Sequence, residues 1–377
     1  MATMPGETPV LRDTPRLAQD GTIGAGLKPV FAPLTVVPAA DGLTRDEFLR
    51  AAAPAASLGA SDVPVWLVHR LVLDMQLACN AACNAAIAAT THRPAPLNRA
   101  IYLLLILRCD RSFSDAAARA AGVAAKPTGG ISVSAIAASL DQPFETARRH
   151  ANALIEDGLC ERRGPRITIR PAMFERAPLR QLLRDLDRIM TRLVGDIAAA
   201  GIALPSPHER EHDNPFAAVA AAIDLSLAAC EYGAPLFGSW LQMRVLGAAF
   251  AANTRQITAN PDLSRYFANE APAPPNALLI PVSPAEIARM LDLSVATARR
   301  HVRAAIDAGL LARERGGVIY TAELLALGGA DALPRVASQR ALKTLERLAI
   351  EGYRLDELGA GDPTAWPGEA EPFVDKH

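Results

Sequence analysis

The chain has 377 residues, half of them hydrophobic and only 5% aromatic, and its formal net charge is −1. This length allows two ordinary domains, and the balanced charge excludes a protein that coats nucleic acid without selectivity. The five cysteines, an odd number spread over predicted helices, do not form the pattern of a disulfide framework. No segment resembles a secretory signal, and the most apolar run, Ile101–Leu107, is too short to cross a bilayer. We therefore expect a cytoplasmic protein that does not enter a membrane.

In chain order, residues 1–43 form a leader rich in Pro, Gly, Thr and Ala, which we expect to be mobile. A first unit is predicted over residues 44–203 and a second over 204–354, followed by an acidic, disordered tail over 355–377. Asn214 followed by Pro215 is a favourable helix start and opens the second unit. Apolar periodicity predicts flanking helices over Val65–Ala89, Leu97–Cys109 and Leu179–Ala199 in the first unit and over Pro215–Cys230, Leu236–Ala252 and Arg335–Glu351 in the second.

A segment of about thirty residues occurs twice without a gap, and about half of its positions are identical. We call residues 132–162 the first repeat and residues 283–313 the second repeat. Both contain the pentapeptide Thr-Ala-Arg-Arg-His, at Thr146–His150 and at Thr297–His301. The related letters that begin at Asp74 and at Asp224 indicate that the flanking helices are duplicated as well.

Each repeat has the pattern of two short helices joined by a turn. In the second repeat, Ser283 and Glu286 form a capping box, Asp292 lies in the turn and Ser294 caps the next helix. Gly309 ends that second helix, and its apolar residues fall at helical spacing: Ala298, Val302, Ala305 and Ile306. Both repeats continue into a predicted hairpin, with strands at 159–163 and 167–169 and at 310–313 and 318–320.

The first repeat resembles the DNA-binding domain of the cyclic-AMP receptor protein family, whose recognition helix carries Glu-Thr-x-x-Arg. Glu145, Thr146 and Arg149 stand in that register. The resemblance implies a winged helix-turn-helix in which Glu145 and Arg149 read base edges. The second repeat keeps Arg300 but has Ala296 in place of the glutamate. The order of helices around this core looks like that of MarR-type regulators. The expected fold is therefore mainly α, with two duplicated winged helix-turn-helix units and flanking helices forming an intramolecular pseudo-dimer.

The face of each recognition helix opposite its apolar stripe carries side chains that can enter a major groove. Arginine can bind guanine, asparagine can bind adenine, and glutamate can accept a hydrogen bond from cytosine. Arginines near the hairpin turns are placed to contact phosphates or a minor groove. The candidate DNA-binding residues are Glu145, Arg148, Arg149, Asn152, Arg163 and Arg166 in the first unit and Ser294, Ala296, Thr297, Arg299, Arg300, Arg303 and Arg315 in the second.

These features predict a bacterial transcriptional regulator that binds double-stranded DNA. The recognition helices differ at Glu145/Ala296 and at Asn152/Arg303, so we expect an imperfect palindrome as the site. The flanking helices are a candidate site for a small-molecule effector, no cofactor is expected, and the chain is a monomeric pseudo-dimer or a homodimer. Two alternatives stay open: a plasmid-type replication initiator or partition protein, and a winged-helix assembly protein that binds no DNA.

Two constellations suggest other chemistry. His208-Glu-Arg-Glu-His212 has the letters of a zinc-protease motif, but Pro205 and Pro207 precede it and Pro215 follows it. Such a motif needs both imidazoles on one face of a formed helix, so we expect no metal site and no enzyme. Cys79 and Cys83 lie one helical turn apart; we interpret them as small packing residues, with oxidant or metal sensing as the alternative.

Overall fold

The computed structural model describes residues 64–92, 97–110, 129–206, 216–268, 274–327 and 332–355. Within these ranges the protein is mainly α-helical and has two small antiparallel sheets. The predicted leader, the His208–His212 motif, the Asn214-Pro215 start and all of the tail except its first residue lie outside the described residues.

Two helices, a helix pair, a hairpin and a closing helix follow one another in both predicted units, and the second unit has two additional short helices. The first unit contains α1 (Val65–Thr91), α2 (Leu97–Cys109), β1 (Ile131–Ser132), α3 (Val133–Ser139), α4 (Phe144–Glu156), β2 (Cys160–Arg163), β3 (Arg166–Ile169) and α5 (Ala177–Ala199). The second contains α6 (Ala217–Phe237), α7 (Trp240–Ala259), α8 (Pro261–Tyr266), α9 (Pro284–Met290), α10 (Val295–Asp307), β4 (Leu311–Glu314), β5 (Gly317–Tyr320), α11 (Ala322–Ala326) and α12 (Ala332–Ile350). Short 3₁₀ turns at Pro171–Glu175 and Asn276–Leu278 complete the fold.

The predicted ends of α6 and α7 are wrong. Helix α6 passes the predicted end at Cys230 and stops at Gly238, which has a φ of 73°. A Cβ on Gly233 would lie 2.2 Å from Met243 Sδ, so α6 and α7 pack closely at this glycine, although glycine is a poor helix former. Helix α7 begins after Ser239, whose side chain accepts from the Gln242 amide, and runs seven residues past the predicted Ala252.

The core lies around α1 and α6, which contact helices of both units. Helix α1 packs against α2 and α5, which follow it, and against α7 and α12 of the second unit. Helix α6 packs against α7 and α12, which follow it, and against α2 and α5 of the first unit. The two central helices also contact each other. Each unit therefore buries part of its apolar surface on the other.

Buried polar contacts join the same helices. Arg70 of α1 is 3% exposed and donates to Phe267 O at 3.2 Å and to Ser264 Oγ at 3.3 Å. Gln76 donates to Leu225 O at 3.2 Å and accepts from Arg244 Nη1 at 3.2 Å. Burial lowers the pKa of Arg70 to about 10, so its guanidinium stays charged at neutral pH. These contacts fix the alignment of the two units, because a shift would leave buried donors without acceptors.

Helix α1 is also the one described helix that is long and apolar enough, by length and composition, to cross a membrane. Its mean hydropathy over an 18-residue window is 1.3, and 67% of that window is buried inside the protein. Cys79 and Cys83 lie on this helix and are fully buried. Burial raises the pKa of the Cys79 thiol to about 11 and that of the Cys83 thiol well above its ordinary value. Both thiols are therefore protonated at neutral pH, which fits their interpretation as packing residues.

Candidate nucleic-acid interface

Each repeat forms two helices, and serine caps fix the starts of three of the four; α4 begins after Pro143 without a side-chain cap. Ser132 Oγ accepts from the Ala135 amide at 3.1 Å at the start of α3. At the start of α9, Ser283 Oγ accepts from the Glu286 amide at 3.2 Å, and Glu286 Oε2 accepts from the Ser283 amide at 2.8 Å. This reciprocal pair confirms the predicted capping box. Ser294 Oγ accepts from the Thr297 amide at 3.1 Å and caps α10 as predicted.

The turns between the helices share one backbone conformation. Asp141 has a φ of 48° and Asp292 a φ of 51°, which places both in the left-handed region that a short polar side chain tolerates. The amides that follow these aspartates, at Gln142 and Leu293, donate back to the first helix at 2.9 and 2.8 Å. Equivalent residues are therefore held in equivalent positions at the beginning of α4 and of α10.

The predicted apolar stripes of α4 and α10 are buried, which leaves their opposite faces exposed. Ala147, Ala151 and Leu154 are buried on α4, which packs against α2. On α10 the buried residues are Ala298, Val302 and Ala305, and that helix packs against α7. Ile306, predicted to belong to the stripe, is only half-buried.

The two histidines of the repeated pentapeptide lie at the edge of this packing. His150 faces the ring of Tyr102 on α2 with centroids 5.0 Å apart, and His301 Nδ1 lies 2.7 Å from Gln242 Oε1 on α7. Partial burial lowers the pKa of both imidazoles. Both side chains therefore fasten the second helix of the repeat to the helix behind it.

A hairpin follows each helix pair. Strands β2 and β3 pair from Cys160↔Ile169 to Arg163↔Arg166, and β4 and β5 pair from Leu311↔Tyr320 to Glu314↔Gly317. A third segment adds to each hairpin through Ile131↔Ile167 and Val282↔Val318. In both units the first strand of the hairpin packs against the second helix of the repeat, because the chain leaves α4 and α10 through a left-handed glycine and turns back.

Two buried polar side chains that sequence reasoning missed hold the hairpins to the helices behind them. Asp110 Oδ2 accepts from the Ile169 amide at 2.6 Å, just after α2. Asn253 of α7 accepts from the Tyr320 amide at 3.0 Å and donates from Nδ2 to Ile280 O at 2.7 Å and to Val318 O at 3.0 Å. We call Asp110 and Asn253 the wing clamps. Asn253 directly follows the apolar run Ala248–Ala252, and a polar residue in that place was the signal that would have revealed it.

Four of the predicted contact residues are exposed arginines with unengaged side chains. Arg149 lies on α4, Arg299 and Arg300 lie on α10, and Arg315 lies in the turn between β4 and β5. None of these four guanidinium groups makes a hydrogen bond or an ion pair with the part of the chain that the structure describes. Their charges are therefore directed to solvent and are available to a ligand.

Glu145 and Arg148 hold each other on the exposed face of α4. Arg148 Nε donates to Glu145 Oε2 at 2.8 Å and Nη2 donates to Oε1 at 2.6 Å. The bidentate contact lowers the pKa of the Glu145 carboxyl. The second unit has Ala296 at the equivalent place, so Arg299 has no carboxylate beside it. The α10 face is therefore the more positively charged of the two.

Other predicted contact residues are already engaged within the protein. Asn152 Oδ1 accepts from Arg162 Nη2 at 3.0 Å, and Arg166 Nη1 donates to Gly130 O at 3.0 Å. Arg163 is paired with Glu161 at 2.7 Å and Arg303 with Asp307 at 3.9 Å, both with partly exposed side chains. Contacts of this kind at a surface are weak and exchange readily with a ligand. The hydroxyls of Ser294 and Thr297 lie 2.8 Å apart at the start of α10, and Ala296 is exposed.

No family model, curated protein or solved structure matches the chain.

A pocket lies between α1 of the first unit and α6, α7, α11 and α12 of the second. Its unfilled space is about 730 Å³, including the part open to solvent. The wall is mostly apolar and contains Trp66 and Phe250, with Gln76 and Arg244 as polar members. His69 is half-buried between the two aromatic rings, at centroid distances of 6.2 and 5.9 Å. Its Nδ1 is buried without a hydrogen-bond partner, and burial, with a smaller effect of the adjacent Arg70, lowers the pKa of His69 to about 3.

We expect His69 to make the fold sensitive to acid. Histidine has a pKa of about 6.5 in the unfolded chain, whereas His69 has a pKa of about 3 in the folded protein. Between these two pH values the unfolded chain binds a proton at this residue and the folded protein does not. Stability is therefore lost as the pH falls through this window, by about 2 kcal/mol at pH 5. His69→Phe keeps an aromatic ring in place and removes this loss. Urea unfolding at pH 7.5 and pH 5 measures it in both proteins.

Asp196 has the opposite effect on stability. Burial raises the pKa of its carboxyl to about 6, so the folded protein binds a proton there more readily than the unfolded chain does, and a lower pH favours the folded state. Its contribution is present in wild type and in His69→Phe alike and cancels from the comparison. The same loss of stability in both proteins between the two pH values would rule out His69 as the cause.

Proposed function

We propose that this protein is a DNA-binding transcriptional regulator whose two winged helix-turn-helix units read double-stranded DNA as an intramolecular pseudo-dimer. The main support for this proposal is the pair Arg149 and Arg300 at equivalent positions of α4 and α10. Both side chains are exposed and make no hydrogen bond or ion pair with the described chain. An arginine held by a rigid helix can bind the two acceptors of a guanine in the major groove. A helix buried on one side and arginine-rich on the other is suited to that groove.

The hairpins support the proposal. Each lies beside its helix pair as a wing does, and Arg315 in the β4–β5 turn has a free guanidinium at the tip. Arginines at such a tip contact phosphates and fix the orientation of a recognition helix on the duplex. Arg163 flanks the turn of the other hairpin, and it can contact phosphate in the same way once its ion pair with Glu161 is broken.

The helix packing supports the pseudo-dimer. Helix α1 contacts α7 and α12 of the second unit, and α6, at the corresponding place in the second unit, contacts α2 and α5 of the first. The contacts that one unit makes with the other are therefore matched in both directions. Two readers joined in this way act at high effective concentration, so two weak half-sites give a strong combined site. Recognition helices on one face of B-DNA are separated by about 34 Å, one helical turn. We propose that the two units reach this spacing within one chain.

Selection from a library of randomised duplexes tests the proposal. We expect enrichment of two half-sites in inverted orientation, with centres about 10 base pairs apart and with different sequences. They differ because α4 carries the Glu145–Arg148 pair where α10 carries Ala296 and the unpaired Arg299. Binding to the enriched duplex should weaken steeply with salt. Identical half-sites would contradict the proposed difference between the readers, and no enrichment would overturn the proposed function.

The pocket around His69 is our candidate site for the small-molecule effector. It lies where the two units meet, so an occupant contacts helices of both and can change their relative alignment. A stabilising ligand that binds one alignment shifts the population toward it. A thermal-shift screen tests this, and a screen in which no small molecule raises the melting temperature would remove the effector from the proposal.

A further inference from the structure

Two exposed apolar side chains occupy the same place in the two recognition helices. Among the described residues, four large hydrophobic side chains are exposed, and two of them are Phe144 (54%) and Val295 (38%). Phe144 is the first residue of α4 and Val295 the first residue of α10. Both are followed by the candidate base-reading residues Glu145 and Ala296.

Burial within the protein does not account for this placement. The core takes up nearly all the other large apolar side chains of the described chain, whereas these two side chains are exposed to solvent at the first residue of a helix. An apolar side chain in that position gains its stabilisation only when something else covers it. The recurrence at equivalent positions of α4 and α10 indicates that one kind of occupant covers both.

The charges around the two side chains define the occupant. Arg148 and Arg149 lie four and five residues after Phe144 on α4, and Arg299 and Arg300 lie four and five residues after Val295 on α10. A polyanion is therefore favoured over an apolar protein surface, which would leave these arginines desolvated. The apolar group that the DNA major groove offers is the 5-methyl of thymine, and the N-terminal residues of a recognition helix are the ones that reach base edges.

We propose that Phe144 and Val295 recognise thymine through its methyl group, one in each half-site. This assignment rests on the proposed function and adds to it a second specificity determinant beside Arg149 and Arg300. The arginine fixes a guanine through hydrogen bonds, and the apolar residue five positions earlier, at the start of the helix, fixes a thymine by covering its methyl. Phe144 covers a larger area than Val295, so thymine is the more strongly required in the half-site read by α4.

Uracil substitution tests the assignment, since uracil differs from thymine by that methyl alone. The probe is the duplex returned with highest affinity by the randomised selection, with each thymine replaced in turn by deoxyuridine. We expect about fourfold weaker binding by wild type at one position in each half-site, the effect of one buried methyl. Phe144→Ala should abolish the thymine preference in one half-site and Val295→Ala in the other. Phe144→Leu should retain part of it.

Ile350→Ala is the matched control, because Ile350 is 47% exposed at the end of α12, away from both recognition helices. It should keep both thymine preferences. Specific binding by wild type with no response to uracil at any position would overturn the thymine assignment and leave the proposed function standing. Absence of specific binding by wild type would overturn both. Thymine preferences that persist in Phe144→Ala and Val295→Ala would show that other residues read the methyl.

Discussion

Replacing Arg149 and Arg300 together by alanine is expected to abolish sequence-specific DNA binding without unfolding the protein. Neither side chain makes a hydrogen bond or an ion pair with the described chain, so its removal leaves no internal group unsatisfied. A bidentate arginine–guanine contact discriminates by about 1–3 kcal/mol, so the loss of two weakens specific binding by about 30-fold to more than 10⁴-fold. Titration of the selected duplex by fluorescence anisotropy measures it, and circular dichroism checks the fold.

Arg180→Ala/Arg184→Ala is the control for this experiment. Both residues are exposed on α5, outside the repeats, and the double substitution removes the same charge. It should reduce affinity for the specific and for a scrambled duplex only slightly and equally. If the control lost as much specific affinity as Arg149→Ala/Arg300→Ala, general electrostatics and not base reading would account for binding, and our site would be wrong.

The single substitutions are expected to differ. On α4 the charge of Glu145 offsets that of Arg148, so Arg149 supplies most of the net charge of that face. On α10 Arg299 remains beside Arg300, and attraction to phosphate persists when Arg300 is removed. Loss of Arg149 should therefore lower affinity more than loss of Arg300, whereas loss of Arg300 should mainly lower selectivity. In the proposed function, the shared pentapeptide provides one common arginine contact, and its neighbours provide the difference between the half-sites.

The parts of the fold that sequence could predict are those in which the signals are local. Caps, the aspartate turn and the apolar stripe of α10 all fall within one short segment, and the structure confirms Ser283, Glu286 and Ser294 in their predicted places. The ends of α6 and α7 depend on tertiary packing. Gly233 and Asn253 are poor helix residues on their own, but one allows a close approach to Met243 and the other binds a hairpin.

Within the candidate site, sequence predicted which faces are exposed but not which side chains are engaged. Repeat spacing and the buried stripe together place Arg149 and Arg300 toward solvent. The bonds from Arg162 to Asn152 and from Arg166 to Gly130 depend on how the hairpin lies against the helix, which no local pattern encodes. The wing clamps were missed for a related reason. The amides that they bind, at Ile169 and Tyr320, are 151 positions apart, which is the offset between the repeats, but Asp110 and Asn253 are 143 positions apart. A gapless alignment therefore does not pair them.

Asn253→Ala is expected to be the most destabilising of the substitutions considered. The side chain is fully buried, and its loss leaves the Tyr320 amide and the Ile280 carbonyl without the partner that Asn253 supplies. Unsatisfied buried backbone groups cost about 1–3 kcal/mol each, so a loss of about 3 kcal/mol in the free energy of unfolding is expected. For a chain of this size the melting temperature should fall by about 4–6 °C. Scanning calorimetry measures this, and hydrogen exchange at Tyr320 reports the hairpin directly.

Thr254→Ala separates the wing clamp from the general effect of truncating a buried side chain. Thr254 is the next residue of α7 and is 1% exposed, but its hydroxyl donates only to Phe250 O, one turn back on its own helix. Its loss leaves the hairpin bonds in place and should cost about 1 kcal/mol. Accelerated exchange at Tyr320 in Asn253→Ala but not in Thr254→Ala would identify the clamp. Equal exchange in both would mean that strand pairing holds β5 without Asn253, and Asn253 would then not be a clamp.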